Sequence, residues 1–183
     1  LERIENEFLP VFSDDPGNTQ LVQRDRNVLS KDSLLAMLRA QRALEDRDDM
    51  YVSGTSSAAG TVARTIDPEA TTLEQQITTL ERATPTTVRR AVRDNADNPG
   101  FTGTLSNDFN EPDASASATI GAVQHDLPGG GGGGSAGQSG DSPLTPIQTQ
   151  AQRVIGTEID ADITVFGSGV IADEFGTVIS DSL

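Results

Sequence analysis

Apolar positions in this chain recur in short periodic stretches separated by polar and glycine-rich ones. Asn18 to Val28 alternates imperfectly around Leu21, Val22 and Val28, which predicts a strand. Ser30 is placed to cap a helix after it. Leu34, Leu35, Leu38 and Leu44, with Met37 beside them, then form a stripe at three- and four-residue spacings through about Asp46. Met50 to Ser53 reads as a short return strand.

Asp67-Pro68 supplies a cap and a first-turn proline, and Leu73, Ile77 and Leu80 continue the helical period. Thr84-Pro85 repeats the signal, with Val88, Ala91 and Val92 on one side until Asn95 to Gly100 stops it. Ser115 to Ala122 alternates small and apolar residues, placing Ala116, Ala118, Ile120 and Ala122 on one face of a strand. Its expected hairpin partner is Phe101 to Ser106, across a turn holding Asn107, Asp108, Asn110, Pro112 and Asp113.

Leu127 to Ser142 contains Gly129 to Gly134 and reads as a flexible tether. Thr145-Pro146 caps a further helix with Ile147, Ala151, Val154 and Ile155 on its stripe and Gly156 at its end. Ile163 to Phe166 is a strand, and Val170 to Leu183 a closing helix carrying Ile171, Phe175, Val178 and Ile179. The order predicts one α+β domain over 1–183, a ferredoxin-like split βαβ sheet with helices on one face and a helical insertion at about 56–98.

Composition changes this picture in one respect. Leu, Ile, Val and Phe make up 42 of 183 residues, enough for one core, but 28 Asp and Glu face 13 Lys and Arg for a net charge of −15. Nucleic acid and anionic membrane surfaces are poor partners for such a chain. Twelve of the thirteen cations are Arg and the sole Lys is Lys31. Acids spread along the whole chain, with Lys nearly absent, are the composition of a salt-adapted protein. There is no Cys, and the longest apolar run, Leu34 to Leu38, is far short of the ~20 residues that span a bilayer. The chain opens on Leu1, with no secretory signal pattern, and reads as a piece of a larger protein.

Candidate chemistry is sparse. Gly167-Ser168-Gly169-Val170-Ile171-Ala172 follows a strand and precedes a helix as a dinucleotide fingerprint does, but the further strand and the ribose-binding acid have no room before Leu183. Phe166 stands where a nucleophile elbow at Ser168 needs Gly. His125, the only histidine, lies beside Asp126 and reads as a solvated strand end rather than a relay histidine. Asp108, Asn110 and Asp113 hint at a cation loop, yet Pro112 and Asp113 occupy positions where the EF-hand pattern needs Asx and Gly. The glycine run lacks the Lys-Ser/Thr of a phosphate loop. No catalytic, cofactor-binding or metal residue is therefore expected, and no substrate-binding residue is assigned.

Several stretches together resemble the first large extracytoplasmic loop of archaeal resistance-nodulation-division (RND) superfamily exporters. Glu7-Phe8-Leu9-Pro10 resembles the segment that follows the family's first membrane helix. Asn27-Val28-Leu29-Ser30 and its leucine-striped helix resemble the start of the porter domain. Leu105-Ser106-Asn107-Asp108 before the alanine-rich strand resembles its hairpin, and Ile163 to Gly169 with Ile179 to Leu183 resembles the lead-in to the second membrane helix. The polyglycine loop departs from the family. The resemblance implies a non-catalytic domain that receives or gates a hydrophobic or amphipathic substrate at the extracytoplasmic face of an ion-driven exporter. Its implied partners are membrane helices of the same full-length chain and, in the parent transporter, further copies of it. The competing expectation is a stand-alone ferredoxin-like ligand-binding or regulatory module, and behind it a nucleotide-dependent enzyme using Gly167 to Ala172.

Overall fold

The structure, a computed structural model, describes residues 18–128 and 144–167. Four strands, β1 (Asn18–Arg24), β2 (Val52–Ser56), β3 (Ala118–His125) and β4 (Ile163–Phe166), form one sheet in the order β2-β3-β1-β4, with every neighbouring pair antiparallel. Helix α1 (Lys31–Glu45) joins β1 to β2. Between β2 and β3 lie α2 (Ala58–Ile66), α3 (Leu73–Arg82), α4 (Pro85–Asp94) and the short α5 (Pro99–Thr102), while α6 (Leu144–Glu158) precedes β4. β1 and β2 are thus parallel with β3 inserted between them, the ferredoxin-like α+β arrangement expected from the sequence.

One main core fills the space between sheet and helices. Leu21, Val123 and Val165 of the sheet are fully buried with Leu34, Leu38 and Leu44 of α1 and with Ala151 and Ile155 of α6. Ser30 accepts a bond from the Ser33 backbone N–H and opens α1 as expected. Close approach of α1 to β3 requires Gly121, where a Cβ would come within 2.7 Å of Met37 Sδ. β3 therefore turns Thr119, Gly121, Val123 and His125 toward the helices. Ala118 and Ile120 instead join Val22, with Phe166 packed alongside, in a small second cluster on the opposite face. The alternation was expected to give β3 one buried face, but a central strand with apolar residues on both sides buries both.

Several boundaries differ from the sequence pattern for local reasons. β1 stops at Arg24 because the next residues turn, and Val28 N–H bonds Ala116 O before Leu29 enters the core. The return strand begins at Val52; Met50, fully buried, closes a 3-10 turn (Asp48–Met50), and Tyr51 has a left-handed φ of 50°. Asp67 ends α2 rather than opening α3, which is capped by Thr72 with a reciprocal bond from Gln75. α2 itself, capped by Ser57, has no predicted bounds of its own because its inward stripe is mostly alanine. Asn98 and Pro99 open α5 instead of preventing it, so the expected hairpin strand at Phe101 shrinks to a single bridge, Leu105 to Thr119. Gly156 lies inside α6, which continues to Glu158. The expected closing helix and nearly all of the glycine tether fall outside the described residues.

Lys31, the only lysine, ties the insertion to the domain. Its Nζ donates to the carbonyl oxygens of Glu81 and Ala83 at 2.8 and 2.9 Å, satisfying the open end of α3.

Candidate functional site

Two features stand out: a buried histidine node and an arginine-flanked groove. His125 is not the solvated strand end that its neighbours suggest. It lies at the end of β3, only 9 % exposed, with Nδ1 2.7 Å from Met50 O and Nε2 2.8 Å from Thr19 Oγ1. A carbonyl only accepts, so Nδ1 carries the proton and Nε2 takes the hydrogen bond from the Thr19 hydroxyl. The neutral ring is fully satisfied and pins β1, β3 and the turn before β2 together. Asp126 is exposed, and its backbone N–H bonds Tyr51 O. No relay to a serine exists among the described residues.

Burial lowers the His125 pKa below its ordinary value, against a smaller opposing effect of the Met50 carbonyl. The unfolded chain then binds this proton more readily than the folded one. The stability His125 contributes is complete above about pH 6.5 and is lost as pH falls below that value toward the folded pKa. Thermal melts in about 1 M KCl should thus show a lower melting temperature at pH 5.5 than at pH 7.5, and His125→Asn should flatten that slope. An unchanged slope in His125→Asn would assign it to other groups.

Asp108 holds a turn together. Its carboxylate accepts from Ser106 Oγ and, at 3.1 Å, from the Ser117 N–H, while Ser106 Oγ accepts from the Ala118 N–H at 3.0 Å. The Ser106 and Ser117 bonds keep Asp108 below the usual carboxylate range. Asn110 pairs with Ser115 across the turn, and Asp113 N–H bonds Asn110 Oδ1. The Asp108 and Asn110 side chains are thus used within the turn, and no cluster of three or more potential metal ligands occurs among the described residues. Of the glycine motif, only Gly167 is described; Ser168 to Ala172 lie outside.

The groove, of about 580 Å³, runs along α6 opposite Arg47 and is lined by Thr145, Thr149, Gln150, Arg153 and Thr157. Arg47 pairs with Glu158 at 2.8 Å, and Gln150 Nε2 donates to Asp49 at 2.8 Å. Sequence reading missed these residues because it followed the apolar stripe of the helix. The signal was on the other side, where Thr145, Thr149, Arg153 and Thr157 repeat every four residues. A second groove, between α2, α3 and α4, carries Asp67, Glu74 and Arg82 among threonines.

No helix among the described residues is long and apolar enough to cross a membrane. No protein-family model, characterised protein or solved structure matches the chain.

Proposed function

We propose that the chain is the extracytoplasmic substrate-receiving or gating domain of an ion-gradient-driven RND-type exporter, with no reaction of its own. The observation that carries this reading is the pairing of β1 with β4. Gln20 lies opposite Phe166 in an antiparallel register, so the chain comes into the sheet and leaves it side by side at one end. A domain suspended between two neighbouring membrane helices needs that arrangement. The split βαβ order of the described strands, with the sequence resemblance on both flanks, supports the same reading.

The coupling acids of such an exporter would reside in membrane helices and not in this domain. A stand-alone ligand-binding module is the second reading, favoured by the groove beside α6. Deleting the full-length gene distinguishes them. The exporter reading expects cells lacking it to retain an amphipathic fluorescent dye, with efflux restored by the intact gene and abolished by collapsing the ion gradient. Unchanged retention of a panel of such dyes would count against transport.

A further inference from the structure

We propose that the groove along α6 binds an amphipathic anion, with a carboxylate held by Arg47 and Arg153 and a hydrocarbon body lying against the helix. The proposal rests on the groove's donors and holds whether or not the chain belongs to an exporter.

Most polar groups around the groove are already committed. The Thr149 hydroxyl donates to Thr145 O at 2.9 Å, and the Thr157 hydroxyl donates to Arg153 O at 2.9 Å, so neither has a hydrogen left for a ligand. Gln150 gives its amide to Asp49. Of the groove's side chains, the two guanidinium groups are the only charged donors. Arg47 uses one nitrogen on Glu158, and no acid among the described residues lies within ion-pair distance of Arg153. The planar fork of donors on each arginine matches a carboxylate.

More of the lining surface is apolar than polar. Pro146 lines the groove with the threonine side chains, and Val154 lies largely beneath its surface. A small inorganic anion makes no use of that surface, and an uncharged alcohol makes none of the arginines. A chain this acidic would repel a free anion at long range, which favours a ligand retained partly by apolar contact. The volume lies within the roughly 300–1,000 Å³ typical of small-molecule sites.

The test is a titration of the domain, followed by backbone amide NMR in about 1 M KCl, with octanoate, 1-octanol and inorganic phosphate as separate probes. Octanoate should give saturable shifts confined to α6 and the Arg47 turn, with neither octanol nor phosphate reproducing them. Arg153→Gln should weaken octanoate binding at least about tenfold, and Arg153→Lys should recover part of it. Because Arg153 is exposed and unpaired, the melting temperature of both variants should match the parent. Thr149→Asp, which adds a carboxylate to the groove, should also abolish binding. The proposal is overturned if octanoate shows no saturable binding, if octanol binds equally well, if phosphate alone binds, or if Arg153→Gln changes nothing.

Discussion

Replacing Phe101 by alanine is expected to cost about 3–5 kcal/mol, the range for truncating a fully buried aromatic. Phe101 is 0 % exposed and meets Phe109 edge to face, with ring centroids 6.2 Å apart and planes at 82°. Its position gives the loss a wider reach. α5 is where the helical insertion returns to the sheet, and Leu105 and Thr104 pair with β3 immediately after it. The cost is a large share of the roughly 5–15 kcal/mol that holds a typical domain together. Urea unfolding should show a midpoint shift of that size. If the insertion alone comes loose, the transition should split or its slope fall. Phe101→Leu, which keeps most of the volume, should lose under half as much. A Phe101→Ala protein as stable as the parent would contradict the packing described here.

Dilution of salt should destabilise the domain by a route that no single contact controls. The net charge is −15, and the described residues contain only three ion pairs, each between partly exposed side chains. Two like charges about 10 Å apart in water repel by about 0.4 kcal/mol, and on the order of ten such pairs left unscreened amount to about 4 kcal/mol. At about 1 M salt the Debye length is roughly 3 Å and this repulsion is largely absent; at about 0.05 M it returns. With about 2–4 °C per kcal/mol for a domain of this size, the melting temperature should fall by on the order of 10 °C between molar and about 50 mM KCl. Replacing the salt by sucrose should restore little of it if screening is the cause. Equal melting temperatures at both salt levels would remove the salt-adapted reading.

The parts of the fold visible in the sequence are those with strong periodicity. α1 was legible because four leucines and a capping serine agree, and β4 because Ile163 to Phe166 is short, apolar and flanked by polar residues. α2 fell within the helical span expected at about 56–98 but without bounds of its own, since its buried side is made mostly of small residues, Ala58, Ala59, Gly60 and Ala63. The alternation of β3 was legible, with Ala118 and Ile120 on one buried face, but the burial of its other face was not. Of its helix-facing positions only Val123 is strongly apolar, while Thr119, Gly121 and His125 serve close approach and hydrogen bonding. Of the candidate sites, the turn at Asp108 was legible as Asx chemistry. The burial of His125 was not, because its partners, Met50 O and Thr19, lie 75 and 106 residues away. The arginines of the α6 groove likewise come to one groove only through the fold: Arg153 belongs to the four-residue polar repeat of α6, but Arg47 is far from it in sequence and shares no motif with it.

The proposed placement of this domain on the outer face of the membrane is tested directly by one labelling measurement. The chain contains no cysteine, so Glu74→Cys, at an exposed position on α3, introduces a single thiol within the domain. With the full-length gene carrying this substitution expressed in intact cells, a membrane-impermeant maleimide should label the protein at once, beyond the signal of the unsubstituted protein. Labelling that occurs only after the cells are lysed would place the domain in the cytoplasm and contradict the exporter reading.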